Sequence, residues 1–340
     1  MREISIQKNE AGQRMDKFLA KYLNKAPKSF FYKMMRKKNI TLNGKKAVGN
    51  EQLKQGDVIK LFLAEETIEN FIDHSQFSKK KASSARKQTA GKKVQLDILY
   101  EDEAAVFINK PVGMLSQKAS PTDTSLVEYF IDYLLENGKI TEEELHTFHP
   151  SVCNRLDRNT SGIVAAGKTL QALQGLSEMF RDRTLKKYYL CLVKGQVKEN
   201  QRIHGYLVKN EKTNKVTVSQ KKPAEQTKDG KEASAIDTEY KVFARNRETT
   251  LLEVHLITGK THQIRAHLAS IGHPIAGDYK YGNRSFNDAL KKEYGLRSQL
   301  LHAYRLEFPE NCEGDIKQLQ ERSSKHLSRP YLNESVKRRE

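Results

Sequence analysis

Asn154-Arg155-Leu156-Asp157-Arg158-Asn159-Thr160-Ser161-Gly162 is the stretch on which the reading of this chain turns. A carboxylate, Asp157, stands close to Arg155 and Arg158, and neighbouring cations favour its charged form. The Thr160-Ser161-Gly162 turn permits a sharp change of direction. The apolar Ile163-Val164-Ala165-Ala166 beyond it predicts a buried strand. An anionic aspartate displayed beside a strand end is a candidate nucleophile. A surface ion-pair cluster is the plainer reading of 155–158 taken alone, so the surrounding chain has to decide.

The chain has 340 residues, enough for two domains, or for one large domain with an appendage. Its net charge is +18, which points to a polyanionic partner. No apolar run reaches the length of a membrane span, and the Met1-Arg2-Glu3-Ile4-Ser5 start is not a signal peptide. The expected partner is therefore a nucleic acid in the cytoplasm, not a membrane surface. Cys153, Cys191 and Cys312 are odd in number and widely spaced. That argues against a disulfide framework or zinc ribbon and fits a reducing compartment.

Charge is concentrated at the front: residues 12–93 hold 20 Lys and Arg against 7 Asp and Glu. Met15, Phe18, Leu19, Tyr22 and Leu23 recur at helical spacing and predict a first amphipathic helix. Pro27 opens a second, in which Phe30, Phe31, Met34 and Met35 alternate with Lys28, Lys33, Arg36, Lys37 and Lys38. Ile40 and Leu42 alternate as in a strand before Asn43-Gly44, a strong hairpin signal, and 58–63 predicts another strand. Residues 72–93 carry seven basic residues and one acid without periodicity, which reads as a flexible cationic linker.

Beyond 94 the texture changes. Strands are predicted over 94–99, 104–109 and 187–193, with a strand pair at 240–244 and 250–257. Helices are predicted over 126–135, around Leu170, Leu173, Leu176 and Phe180, and over 261–271. Residues 209–232 are Lys-rich and read as a long hairpin or mobile loop. This mixture is α+β, without a regular βαβ repeat. The tail from 311 to 340 is basic and reads as partly unordered.

The front segment resembles the ribosomal protein S-four-type RNA-binding module. The resemblance is carried by Gly12-Gln13-Arg14-Met15-Asp16-Lys17-Phe18-Leu19, Leu42-Asn43-Gly44 and Gly56-Asp57-Val58-Ile59. It implies a module over 12–71 in which Arg14, Lys33, Arg36, Lys37 and Lys38 meet phosphates. Such contacts position RNA without reading its sequence.

Four further pieces fall in order. They are Ile108-Asn109-Lys110-Pro111-Val112-Gly113, the Asp157 stretch, Lys187-Tyr188-Tyr189-Leu190-Cys191-Leu192-Val193-Lys194-Gly195, and Thr258-Gly259-Lys260-Thr261-His262-Gln263-Ile264-Arg265-Ala266-His267-Leu268. Gly272-His273-Pro274-Ile275-Ala276-Gly277-Asp278 follows. Together they resemble the large-subunit ribosomal RNA pseudouridine synthases of the RluA/RluC/RluD type. Asn154, Asn159 and Lys260 depart from the usual His, Asp and Arg of that pattern.

The resemblance implies a catalytic domain over 94–310, built on a mixed, largely antiparallel sheet with flanking helices. It implies that uridine in RNA, 23S (large-subunit) ribosomal RNA above all, is isomerised to pseudouridine without metal or organic cofactor; a monomer is the expected state, with the oligomeric state open. Asp157 would be nucleophile or oxocarbenium stabiliser, through a covalent adduct or a glycal path. Arg265 would hold it, and Tyr189 would pack on the target base and take or relay a proton. Tyr188, on the opposite face of the strand, would be structural. Substrate contacts are implied for Arg155, Arg158, Thr160, His262, Gln263 and Lys110. His262 and His267, five apart, lack the spacing of a helical zinc pair.

Three rivals stay open at this point. One is a non-catalytic RNA-binding assembly factor, and another is the same chemistry on transfer RNA or a different structured RNA. The third is a glycosidase that pairs Asp157 with Asp182 or Glu178.

Overall fold

The computed structural model describes residues 1–7, 9–73, 94–142, 144–210, 213–223 and 233–310. The expected linker, apart from Ile72 and Asp73, lies outside the described residues, as do the tail over 311–340 and residues 211–212 and 224–232 of the expected hairpin or loop.

The N-terminal unit contains β1 (Arg2–Ser5), α1 (Met15–Tyr22), α2 (Lys28–Arg36), β2 (Ile40–Leu42), β3 (Lys45–Lys46), β4 (Val58–Leu61) and α3 (Glu65–Asn70). Its four strands lie in the order β1-β4-β2-β3, all antiparallel. The β2–β3 turn has positive φ at both Asn43 (49°) and Gly44 (72°), the conformation whose twist matches a two-residue hairpin. Met15, Phe18, Leu19, Phe31 and Met35 bury against Ile40, Ile59 and Leu61, which is why the apolar spacing of both helices has to be 3–4 residues. The unit is larger than 12–71 at both ends. β1 pairs with β4 through Arg2–Ser5, and Ile72 is only 7% exposed within this core.

The second sheet has ten strands among the described residues. They are β5 (Ile98–Glu101), β6 (Ala105–Lys110), β7 (Ser151–Val152), β8 (Ser161–Gly167), β9 (Lys186–Lys194), β10 (Gln201–Asn210), β11 (Lys215–Ser219), β12 (Ser234–Arg245), β13 (Thr249–Leu256) and β14 (Leu301–Glu307). Their order is β11-β10-β12-β13-β9-β14-β8-β6-β5, with β7 also on β8. Every pairing is antiparallel except β14 on β8. α4 (Leu126–Glu136), α5 (Glu144–Thr147), α6 (Leu170–Asp182), α7 (Gln263–Ser270) and α8 (Arg284–Tyr294) flank it.

β6 and β8 are buried almost without interruption because both faces are covered. Val106, Ile108, Val164 and Ala166 join the large core with Phe130 and Leu268, whereas Phe107, Ile163 and Ala165 pack with Leu176 of α6. Thr169 caps α6 by accepting from the Ala172 N–H at 3.2 Å, and Arg183 at φ 63° ends it.

Several sequence expectations change here. β5 begins at Ile98, not 94, and α7 begins at Gln263, not Thr261, because His262 adopts a left-handed φ of 52°. Residues 201–219 form the β10–β11 hairpin, with Asn210 opposite Lys215. β1, α3, α8 and β14 were not expected at all.

The N-terminal unit meets α5, which flanks the second sheet, through polar contacts. Thr147 Oγ1 of α5 donates to Glu10 Oε1 at 2.8 Å, and Gln13 Nε2 donates to the Thr147 carbonyl at 3.3 Å. No helix among the described residues is long and apolar enough to cross a membrane.

Candidate active site

Asp157 lies in the loop between β7 and β8, and both of its neighbours are clamped. Ser116 Oγ donates to the Leu156 carbonyl at 2.9 Å and accepts the Leu156 N–H at 3.0 Å. On the other side the Gly113 N–H donates to the Arg158 carbonyl at 2.8 Å, and Arg158 Nε returns a bond to the Gly113 carbonyl at 3.0 Å. The Thr160 N–H closes the turn onto the Asp157 carbonyl at 3.0 Å. Gly162 then passes against β14 with φ 114°. A Cβ there would stand 2.1 Å from the Ala303 carbonyl oxygen, so only glycine permits this approach. Asn154, in place of the usual histidine, ties the loop to β8 by accepting the Ala165 N–H at 2.8 Å.

Asp157 Oδ2 accepts from Arg265 Nη1 at 2.8 Å. Its other oxygen, Oδ1, makes no hydrogen bond among the described residues. Arg265 reaches it from α7 and is itself gripped from behind. Its Nε donates to Asp278 Oδ2 at 2.7 Å and its Nη2 to Asp278 Oδ1 at 3.0 Å, a bidentate pair that fixes the plane of the guanidinium. Burial disfavours the arginine's charge, but the bonds to Asp278 and then Asp157 more than offset it and hold Arg265 above its ordinary pKa. Asp278 is 1% exposed and also accepts the N–H groups of Lys280 (2.9 Å) and Tyr281 (3.2 Å). The Tyr281 ring lies 5.1 Å from the guanidinium carbon, and its hydroxyl bonds His262 Nδ1 at 2.8 Å.

A cleft open to solvent lies in front of Asp157. Arg155, Thr160, Tyr189, Lys260, His262, Gln263 and Arg265 line its polar part, and Leu156, Leu256, Ile264 and Leu301 its apolar part. Among the described residues Asp157 supplies the cleft's one lining carboxylate. Glu178 and Asp182, the partners a glycosidase reading requires, instead bond Arg181 on the exposed side of α6, so that reading is set aside.

Tyr189 is buried at the cleft wall, and burial followed by the Asp157 charge pushes its phenol far above the ordinary value. The hydroxyl stays protonated, which opposes a role in accepting a proton. Tyr188 faces the other way, stacked on His255 with centroids 4.8 Å apart and lying under the Arg305 guanidinium at 3.7 Å. His262 Nε2 is 3.9 Å from Asp157 Oδ2. Burial, only partly offset by the Asp157 charge, lowers the His262 pKa and keeps the ring neutral near pH 7.

Four expected substrate contacts are otherwise engaged. Lys110 is fully buried, and its ammonium donates to the carbonyls of Pro111, Met114 and Arg158 at 2.9, 2.9 and 3.2 Å. Burial pushes it down to about 8, against the pull of Asp157. It staples the turn behind Asp157 and presents nothing to a ligand. Gln263 spends its amide on Thr258, the Lys260 N–H, the Asp237 carbonyl and Thr238. Thr160 accepts from Gln299 Nε2 at 2.9 Å. Arg158 is exposed but does not line the cleft. Arg155 and His262 do line it. In the N-terminal unit Arg14, Lys33, Arg36, Lys37 and Lys38 are all exposed, and Arg14 also pairs with Asp16 at 2.9 Å.

Asp278, Tyr281 and Lys260 were missed as site residues. Gly277-Asp278 stands in the quoted sequence motifs, yet its grip on Arg265 exists only once the chain after α7 folds back.

The mixed, largely antiparallel sheet is shared with known proteins. The RNA pseudouridylate synthase family matches residues 104–270. Solved structures of human RNA Pseudouridylate Synthase Domain Containing 4 and Domain Containing 1 superpose with TM-scores of 0.51 and 0.50. They are 24% and 21% identical, cover 67% and 66% of this chain, and are themselves covered to 93% and 85%. Those two likenesses speak for the fold.

Sequence relatives go further. Ribosomal large subunit pseudouridine synthase C of Vibrio parahaemolyticus is 33% identical over 316 residues, 91% of this chain and 90% of the relative. The protein of the same name from Salmonella typhi is 32% identical over 331 residues, 96% of this chain and 94% of the relative. The chain belongs to the RNA pseudouridine synthase family, isomerases that convert uridine to pseudouridine.

Proposed function

We propose that this enzyme isomerises uridines in large-subunit ribosomal RNA, with Asp157 as the group that acts at the sugar. The carrying observation is the half-engaged carboxylate. Oδ2 is fixed by Arg265 at 2.8 Å, while Oδ1, beside an open cleft, has no hydrogen-bond partner among the described residues. One oxygen sets the orientation and the other keeps its lone pairs for an electron-poor anomeric carbon.

In the reaction the bond between uracil N1 and C1′ breaks, the base turns within the cleft, and C5 joins C1′. The C5 proton departs and N1 gains one, so nothing is oxidised or hydrolysed. Arg265 keeps Asp157 ionised and aligned. Tyr189 offers a ring face and a protonated hydroxyl to the turning base. Leu156, Leu256, Ile264 and Leu301 favour a dry cleft, in which electrostatic contacts strengthen.

A stacked uridine hides its glycosidic bond, so the nucleotide is extruded at a cost of a few kcal/mol. The exposed cations of α2 would offset that cost through phosphate contacts, as an S-four-type module does. Ribosomal RNA is favoured by the names of the relatives and by this basic unit. The deciding experiment is Asp157→Asn. Pseudouridine formation should fall by at least ~10³-fold with RNA affinity within a few-fold of wild type. A variant that modifies RNA at the normal rate would refute the assignment.

A further inference from the structure

Lys187 is a basic side chain that the reaction described above leaves unused. It shares one side of β9 with Tyr189, since the intervening Tyr188 faces the opposite side. On the neighbouring strand Val254 pairs with Tyr189, and Leu256, two residues further on, lines the cleft. Lys187 therefore stands at the cleft's edge, one alternation from the tyrosine that walls it.

The end of the side chain is also placed. A Cβ built on Gly259 would lie 3.1 Å from the Lys187 ammonium, so the nitrogen rests against the bare backbone of the turn that delivers Lys260 to the cleft. A side chain at 259 would crowd it. The ammonium is half-buried, yet no carboxylate pairs with it among the described residues, and another cation, Arg183 at the end of α6, acts on it. Both effects lower the lysine's pKa, burial first and Arg183 second. A partly desolvated charge without a counter-ion is costly, and an arriving anion relieves that cost.

We propose that Lys187, backed by Arg183 and by Lys260 at the next turn, forms an anion site at the cleft rim that takes a backbone phosphate adjoining the extruded nucleotide. This rests on the function proposed above and deepens it. Lys187 is a positioning residue: it touches the polymer beside the reacting nucleotide and never the glycosidic bond. Its anchor lies within one strand alternation of Tyr189, so it would fix the entering backbone against the wall on which the base turns.

The test uses the full-length protein and in vitro transcribed large-subunit ribosomal RNA. Wild type, Lys187→Met, Lys187→Arg and, as a control from the other face of β9, Lys186→Met are compared. Affinity is measured as a function of salt, and kcat and KM for pseudouridine formation are measured alongside. Lys187→Met should raise Kd and KM by about 10-fold and leave kcat within about 2-fold of wild type. The slope of log affinity against log salt should become shallower by about one. Lys187→Arg should restore all three, and Lys186→Met should change none.

An unchanged salt slope in Lys187→Met overturns the site, whether or not kcat falls. A loss of kcat or of thermal stability without that change marks the lysine as structural. If wild type bound with the expected salt dependence but formed no pseudouridine, the catalytic reading would fail while the phosphate site stood.

Discussion

Asp278→Asn probes the one contact that gives Arg265 its direction. The wild-type pair is sealed: Asp278 is 1% exposed and the Arg265 side chain 9%, with bonds of 2.7 and 3.0 Å between them. Removing one partner of such a pair typically costs ~3–5 kcal/mol. Asparagine keeps the shape and one acceptor, and Asp157 still balances the arginine, so the lower end applies, about 3 kcal/mol. At ~2–4 °C per kcal/mol for a domain of this size, Tm should drop by roughly 6–12 °C. The amide's own N–H group would face the guanidinium's donors, turning Arg265 away from Asp157. A displacement near 1 Å at a reacting group costs on the order of 10² in rate. KM should hold, because Asp278 does not line the cleft. Thermal unfolding followed by circular dichroism gives the first number, and release of label from RNA carrying 5-tritiated uridine gives the second. A variant with Tm within ~2 °C of wild type and an unchanged kcat would mean that Asp278 does not orient the arginine, and the alignment argument would fall.

Two further outcomes can be checked together with the Asp157 and Lys187 variants. Replacing Lys33, Arg36, Lys37 and Lys38 with glutamine should weaken RNA binding and lower its salt slope by up to ~0.7–0.9 per lost phosphate contact while leaving kcat at saturating RNA unchanged; an unaltered slope would remove these cations from the interface. His262, His267 and His302 are all held below their ordinary pKa, by burial first in each case. The unfolded chain therefore binds protons near pH ~6.5 that the folded chain refuses. Stability is fully present above that pH and declines as the pH falls below it. The urea midpoint should be lower at pH 5.5 than at pH 7.5, and an equal or higher midpoint would contradict the burial of these rings.

Local signals were legible where the chain makes its own geometry. Asn43-Gly44 specifies a hairpin because both residues accept positive φ, and Tyr188-Tyr189 divides its two rings between two faces because strands alternate. The Thr160-Ser161-Gly162 turn likewise gave both its position and the buried strand after it. The reading failed where a residue's meaning depends on distant partners. Lys110 looks like a ligand contact until three carbonyls from two loops close around it. Gln263 looks like a substrate donor until β12 supplies its acceptors. Asp278 carries no local sign of its role, since its partner lies in the preceding helix and meets it only after Gly272-His273-Pro274 turns the chain back. β14 was overlooked because Leu301–Glu307 mixes His, Tyr, Arg and Glu among its apolar residues, and the partners that bury them come from β8 and β9.

That strand has a consequence for how the enzyme is made. β14 lies between β8, which follows the Asp157 loop, and β9, which bears Tyr189 and leads through β13 to Arg265. The ribosome makes it after every other strand of this sheet, and at ~5–20 residues per second the gap between β8 and β14 occupies roughly 7 to 27 seconds of synthesis. β8 waits with an unpaired edge through that interval, β9 does so once it is made, and after Arg265 is added carboxylate and guanidinium sit on halves with no strand to join them. A nascent chain therefore holds every reactive group well before it has an active site, and gains one only as its last strand slots home.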